Sequence, residues 1–201
     1  MRALLLIAAS SFAILAGHWK RLALVDPITR SGNSLALARF FRLKGREAFT
    51  GSLFLLDIDG FAKVNSNLSY AAGDGILSAV VTRLAICLGK SAKIFRYKYG
   101  DEFLAIVEGG TLFRGDKAKQ RFLTDLQRNA FFLPGIDHSI NISVSIGHLF
   151  IDRGYLSDSS IIDRLEDKLR ESKKRPVSKR NIENRGRDAE VSENMLANYR
   201  R

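Results

Sequence analysis

A short apolar run that ends in acidic residues constrains this chain more than any other feature. Ser52 to Ile58 is almost entirely apolar, and its end reads Asp57-Ile58-Asp59. A continuous apolar run of this length is typical of a strand that is buried on both faces. Because side chains alternate along a strand, Asp57 and Asp59 are expected to point to the same side. A carboxylate there is costly unless a cation or hydrogen-bond donors compensate it, so this strand end is a candidate site.

The pattern around this strand predicts a domain that mixes helices and strands. Polar caps and helical spacing predict helices over residues 35–46, 74–88, 116–130 and 160–174. Apolar runs predict strands over residues 52–58, 92–97, 103–107 and 140–150, with a hairpin between the second and the third. This order of elements indicates an α+β fold in which helices cover one side of a sheet.

Composition excludes several classes of protein. A chain of 201 residues with 46% hydrophobic and 26% charged residues fits one globular domain with a substantial core. Its 16 glycines and 3 prolines exclude collagen and low-complexity disorder. The single cysteine, Cys87, excludes an intramolecular disulfide and a cysteine-based zinc site. A net charge of +11 suits nucleotide phosphates, nucleic acid or an anionic membrane, and it does not choose among them.

The two ends of the chain differ from its centre. No charged residue occurs from Ala3 to Trp19, and Lys20 and Arg21 follow at once. This pattern predicts a short membrane anchor, with a cleaved signal peptide and a buried helix as open alternatives. The other end is basic, which indicates a flexible tail or a contact with phosphates or anionic lipid. We expect a hydrophobic segment over residues 1–21, a domain over 22–175 and a tail over 176–201.

A second acidic pair, Asp101-Glu102, lies in the predicted hairpin. If this hairpin lies beside the strand that ends at Asp57, three or four carboxylates converge. Ligation by oxygen alone suits Mg²⁺, which is normally completed by substrate phosphates and water. Taken singly, each acidic pair also has an ordinary structural explanation, since aspartate is common in turns and at strand ends.

Two further polar residues lie between the acidic pairs. Asn65 is followed nine residues later by Asp74, within Ala72-Gly73-Asp74-Gly75. An amide and a carboxylate together can recognise the edge of guanine, because the carboxylate accepts from N1 and from the 2-amino group. On its own, Asp74 is better explained as the N-cap of the helix that follows.

These residues belong to a series of motifs that occurs in one order along the chain. The series is Asp26-Pro27-Ile28-Thr29, Asp57-Ile58-Asp59-Gly60-Phe61, Asn65 with Gly73-Asp74, Tyr99-Gly100-Asp101-Glu102-Phe103, and Ser145-Ile146-Gly147. Together they resemble the GGDEF domain of diguanylate cyclases over roughly residues 24–175. The resemblance implies an α+β fold of the nucleotidyl-cyclase kind. Its central sheet is mostly antiparallel, with a ferredoxin-like βααββαβ core covered by helices.

The resemblance also implies an activity. Members of that family condense two GTP molecules into cyclic di-GMP across a homodimer, release pyrophosphate, and use Mg²⁺ or Mn²⁺. The implied metal ligands are Asp57, the carbonyl of Ile58, and Asp101, and the implied catalytic residues are Asp101 and Glu102. The implied substrate-binding residues are Asn65 and Asp74 for guanine, and Gly60, Phe61, Gly100 and Lys173 around the phosphates.

Several positions depart from the family's pattern. Tyr99 replaces the first glycine of the signature, so this position loses easy access to positive φ and carries a bulky ring. The arginine that normally precedes the signature is out of register, because Arg96 lies one position early. In the last helix, Lys173 takes the place of the phosphate-binding lysine, whereas Val177 stands where an arginine belongs. Residues 90–93 lack the R-x-x-D pattern of an inhibitory product site, so we expect none.

These departures leave a second interpretation, a catalytically degenerate GGDEF domain that binds GTP or a partner protein. Nucleic acid is not an expected partner, because the chain lacks the interleaved aromatic and basic residues of a stacking surface. The apolar segment and its basic flank place the protein at the bacterial inner membrane, with the domain in the cytoplasm and a possible contact with anionic lipid. A wholly cytoplasmic location is the alternative.

Overall fold

The computed structural model describes residues 23–98, 100–157 and 159–174. The described elements are α1 (Ser34–Lys44), β1 (Ala48–Ile58), α2 (Phe61–Asn67), α3 (Tyr70–Leu88), β2 (Lys93–Arg96), β3 (Glu102–Glu108), α4 (Leu112–Arg128), β4 (Val144–Tyr155) and α5 (Ser160–Lys174). The hydrophobic segment over 1–21, Tyr99 and the basic tail with Val177 lie outside the described residues.

The four strands form one sheet in the order β2-β3-β1-β4, and each neighbouring pair is antiparallel. From β1 to β4 the elements follow the order βααββαβ, which confirms the expected ferredoxin-like core. β1 pairs with both β3 and β4, so its end is flanked on either side. Asp57 lies opposite Glu102 on β3 and opposite Ser145 on β4.

Helices cover both faces of this sheet, so the expectation of helices on one side alone is wrong. Leu53 and Leu55 of β1 pack in a cluster with side chains of α1 and α5. Phe54 and Leu56 pack in a second cluster with side chains of α3 and α4. A strand that is apolar on both sides must exclude water from both faces, and β1 is such a strand.

Helix α3 starts earlier than its sequence pattern predicts. Its N-cap is Ser69, whose side chain accepts a hydrogen bond from the Ala72 amide, so Asp74 lies inside the helix rather than at its cap. Local spacing predicts no helix at the preceding α2, which is short and has no fully buried residue, although the βααββαβ core that the resemblance implies includes it. Within the described residues, α3 is the one helix long and apolar enough to cross a membrane. Its buried side chains belong to the core cluster.

A polar network centred on the buried His148 fastens α4 to the sheet. His148 of β4 contacts Asp116 through Nδ1 at 2.8 Å and the Ser52 hydroxyl through Nε2 at 3.0 Å. Its ring stacks on Phe54 with 4.5 Å between centroids. A serine, a histidine and an aspartate also form hydrolase triads, but here Gly115 covers the serine. A Cβ at Gly115 would lie 2.5 Å from Ser52 Oγ, so the network serves packing.

This network makes stability depend on pH. Burial lowers the pKa of His148 below its ordinary 6.5, although Asp116 opposes the shift. Below pH 6.5 the unfolded chain takes up a proton at His148 that the folded chain resists. The stability that neutral His148 contributes is therefore full above this pH and is lost as the pH falls below it. We expect the free energy of unfolding to fall more steeply with acidification in the wild type than in His148→Gln. The two slopes should differ by at most about 1.4 kcal/mol per pH unit. Urea unfolding at several pH values checks this, and equal slopes for both proteins would contradict it.

Candidate active site

The end of β1 places one carboxylate beside a lysine of the last helix. Asp57 belongs to the face of β1 that is covered by α5, and its side chain is 14% exposed. Its Oδ2 lies 2.8 Å from Nζ of Lys173, near the C-terminal end of α5. Two residues that are far apart in sequence are thus joined in an ion pair, and both were expected in the site.

The hairpin between β2 and β3 brings the second acidic pair to the same place. Burial raises the pKa of Asp101, and the charge of Asp57 adds to this, whereas Lys173 opposes it. Burial likewise raises the pKa of Glu102, and the Asp57 and Asp101 carboxylates add to the shift against Lys98 and Lys173. Three carboxylates therefore repel one another around one ammonium group, and such a cluster attracts a further positive ion.

The chemistry of this donor set fits a hard divalent cation. Carboxylates and a backbone carbonyl supply only oxygen, which suits Mg²⁺ or Mn²⁺. Among the described residues, however, no three acidic, histidine or cysteine side chains stand close enough to enclose a metal ion. Asp57 is paired with the Lys173 ammonium instead.

Asp59 does not join these carboxylates, although the alternation of β1 suggested that it would. Its two oxygens accept hydrogen bonds from the hydroxyls of Ser143 at 2.8 Å and of Ser145 at 2.7 Å. Its amide also donates to the carbonyl of Ser143 at 3.0 Å. The two serines of the β4 side satisfy Asp59 as hydrogen-bond donors, so it ties β1 to its neighbour.

Asn65 and Asp74 lie on the two consecutive helices α2 and α3. The Asn65 side-chain oxygen is buried and has no hydrogen-bond partner in the described part of the chain. It lies against Gly73, where a Cβ would collide with it. Asp74 is exposed, one residue further along α3. An orphaned buried acceptor is unfavourable by about 1–3 kcal/mol, and the close packing of Gly73 leaves this oxygen without room for a larger side chain beside it.

Two glycines of the site adopt backbone conformations that other residues disfavour. Gly60 has φ 70° at the start of α2, and Gly100 has φ 125° in the hairpin. An added Cβ would meet nothing within 4 Å at either position, so the conformation and not crowding requires glycine. Phe61, which follows Gly60, packs against the core and fixes the start of α2.

Arg96 supports the hairpin from inside the domain, despite its unusual register. Its Nε donates to the Gly100 carbonyl at 2.9 Å, and Nη1 lies 3.0 Å from Oδ2 of Asp26. Burial by itself raises the pKa of Asp26, but hydrogen bonds from Thr29 and Arg96 outweigh it and hold the pKa below its usual range. Asp26, in the first motif of the series, thus binds the arginine that holds the hairpin.

Comparison with known proteins gives the family. The family model for the diguanylate cyclase GGDEF domain matches residues 23–179. An uncharacterized membrane protein of Staphylococcus haemolyticus is 35% identical over 106 residues, and one of Staphylococcus aureus (strain USA300) is 34% identical over 107. Each alignment covers 53% of this chain and 28% of the relative, so the chain spans roughly a quarter of the length of these relatives.

Solved structures share the fold. The coiled-coil and GGDEF domain of DgcB from Caulobacter crescentus, in complex with c-di-GMP, has a TM-score of 0.72 at 20% identity and covers 86% of this chain and 93% of its own. Diguanylate cyclase SiaD from Pseudomonas aeruginosa, in complex with its activator SiaC, has a TM-score of 0.67 at 21% identity and covers 86% and 68%. With the family match over most of the chain and the motifs in their places on the fold, this chain belongs to the GGDEF domain family.

Proposed function

We propose that this chain is a diguanylate cyclase that condenses two GTP molecules into cyclic di-GMP with release of pyrophosphate. The observation that carries the proposal is the placement of three acids at the end of the central strand, where Asp57 pairs with Lys173, Glu102 lies opposite Asp57 in the sheet, and Asp101 directly precedes Glu102. Carboxylates that repel one another in a partly buried site have little structural use, whereas metal-assisted phosphoryl transfer needs them.

Asp57, the carbonyl of Ile58, and Asp101 would hold Mg²⁺ or Mn²⁺. A divalent ion in such a site neutralises charge on the attacking and leaving oxygens of a phosphoryl transfer. Glu102 assists at this position and accepts the proton of the ribose 3′-hydroxyl. Its raised pKa favours that role, because a base is most useful when its pKa is nearer to the working pH.

The remaining residues of the site bind the nucleotide. Asn65 and Asp74 recognise guanine, as the resemblance implies, and they lie on the consecutive helices α2 and α3. The amides of Gly60 and Phe61 bind the terminal phosphates, and Gly100 lets the hairpin backbone approach the nucleotide. Lys173 moves from Asp57 to the phosphates when GTP is bound, because it is 44% exposed and its stem is flexible.

Catalysis requires two copies of the chain. Each domain holds one GTP molecule, and the product contains two, so the two sites must face each other in a symmetric homodimer. We propose that the hydrophobic segment over 1–21 anchors this dimer in the bacterial inner membrane. The names of the staphylococcal relatives, which are membrane proteins, support this location. A cytoplasmic dimer is the alternative.

Product formation by the full chain tests the proposal. The protein is incubated with GTP and Mg²⁺ or Mn²⁺ over a range of protein concentrations, and the nucleotides are separated by anion-exchange chromatography. We expect cyclic di-GMP to increase more than linearly with protein and to disappear in Glu102→Ala. Absence of cyclic di-GMP at every concentration would contradict the proposal.

Two observations favour a second candidate, a degenerate domain that binds GTP or a partner without turnover. Tyr99 replaces the first glycine of the signature, and Lys173 holds Asp57 in an ion pair. Calorimetric titration with GTP separates the two candidates, because the degenerate module binds nucleotide and forms no product.

A further inference from the structure

The signature hairpin, residues 97–102, is hydrogen-bonded to one carboxylate of the last helix. The Tyr97 hydroxyl donates to Oε1 of Glu166 at 2.9 Å. Nζ of Lys98 donates to the same oxygen at 2.8 Å. Two consecutive hairpin residues thus meet a single acceptor that is 68 residues away from Lys98 in sequence.

The hairpin backbone is shaped to make this double contact. Consecutive side chains of an extended strand point to opposite sides, so Tyr97 and Lys98 would normally diverge. Lys98 instead has φ 54°, in the left-handed region that residues with a Cβ rarely adopt. Such a conformation is unfavourable by about 1–3 kcal/mol and persists when its surroundings hold it in place. Glu166 is the group that holds it, because both side chains end on its oxygen.

The contact is better protected than an ordinary surface ion pair. Tyr97 packs against the α5-side core cluster, and burial raises the pKa of its hydroxyl, as does its bond to Glu166. The Glu166 side chain is 32% exposed, and its bonds from Lys98 and Tyr97 lower its pKa. It is therefore ionised at neutral pH and accepts both bonds as a carboxylate.

The helix that carries Glu166 packs closely against the sheet. Gly147 of β4 lies so near α5 that a Cβ there would be 2.7 Å from the Leu169 amide nitrogen. The Ile146 amide also donates to the Ser172 hydroxyl at 3.2 Å. Seven residues after Glu166, two turns along the same face, Lys173 holds Asp57. One rigid helix thus holds both elements that carry the acidic residues.

We propose that Glu166 is a positioning residue, which fixes the signature hairpin so that Asp101 and Glu102 face Asp57. This inference rests on the proposed cyclase activity. Phosphoryl transfer depends on placing its groups to a fraction of an ångström, so a loosened hairpin slows the reaction. Guanine recognition by Asn65 and Asp74 lies on other elements, and of the proposed nucleotide contacts only Gly100 belongs to the hairpin, so the loss falls mainly on kcat.

The test compares Glu166→Gln and Tyr97→Phe with Asp167→Asn in the full chain. Asp167→Asn removes the same charge from the neighbouring residue of α5, which is 61% exposed and pairs with Arg170 on the same helix. Tyr97→Phe keeps the packed ring and removes one bond, so it remains informative if Glu166→Gln fails to fold. The measurements are kcat and KM for GTP, and hydrogen exchange of the peptide that spans the hairpin.

We expect Glu166→Gln to lower kcat about 10-fold with KM unchanged within a factor of two, and to speed exchange of the hairpin amides about 10-fold. Tyr97→Phe changes kcat and the exchange rate in the same directions but by less, and Asp167→Asn changes neither of these two quantities. Unchanged exchange in Glu166→Gln and Tyr97→Phe, or faster exchange with an unchanged kcat, would overturn the inference. A wild-type chain that forms no cyclic di-GMP defeats the proposed function instead, and the exchange measurement then decides alone whether Glu166 holds the hairpin.

Discussion

Asp57→Asn is expected to lower cyclic di-GMP synthesis by about 10³-fold without unfolding the protein. The amide keeps the shape of the side chain and removes the charge that we assign to metal binding. Stability is expected to hold or to rise, because Asp57 raises the pKa values of Asp101 and Glu102, and neutralising it relieves that repulsion. Lys173 loses its partner, but it is 44% exposed and can turn to water.

Two measurements check this expectation, the rate of product formation at saturating GTP and Mg²⁺ and the free energy of unfolding in urea. The matched control is Asp152→Asn, which removes an exposed acid near the other end of β4 and should change neither. Substantial cyclic di-GMP synthesis by Asp57→Asn would show that this carboxylate holds no essential metal ion. A large loss of stability would show that its bond to Lys173 is structural.

Gly147→Ala is expected to destabilise the fold by about 2 kcal/mol, because an added methyl group would strike backbone that cannot move aside. The new Cβ would lie 2.7 Å from the Leu169 nitrogen and 2.8 Å from the Leu165 oxygen. Helix α5 must therefore shift away from β4. Because α5 carries Lys173, we expect cyclase activity to fall as well.

Urea unfolding measures the first effect, and Gly75→Ala is the matched control with the same chemical change. At Gly75 the added Cβ would meet only the flexible side chain of Leu133, at 3.0 Å or more. Alanine also favours a helix over glycine by about 0.5–1 kcal/mol, so this variant should be at least as stable as the wild type. Equal stabilities for Gly147→Ala and wild type would contradict the close approach of α5.

Local patterns predicted most of the elements because they follow from short-range geometry. The helix over 160–174 was found at these bounds. The strand predicted over 52–58 ends at Ile58 but begins earlier, at Ala48, and Glu102 lies opposite Asp57. Local spacing does not reveal the short helix α2, because its few residues complete too little of a repeat, and the family resemblance alone implied it. Aspartate favours the N-cap position, which made Asp74 a candidate N-cap. The helix instead has its N-cap at Ser69, five residues earlier.

By itself, the sequence determined the central apolar strand, the acidic residues at its end and the order of motifs that marks a GGDEF domain. The partner of each acid came from tertiary contacts alone. Asp57 meets Lys173, Asp59 meets the serines of the β4 side, and Glu166 meets the signature hairpin. The physical reason is that alternation along a strand depends on neighbouring bonds alone. Contacts between elements 68 to 116 residues apart depend on sheet register and helix packing, which no short stretch of the chain encodes.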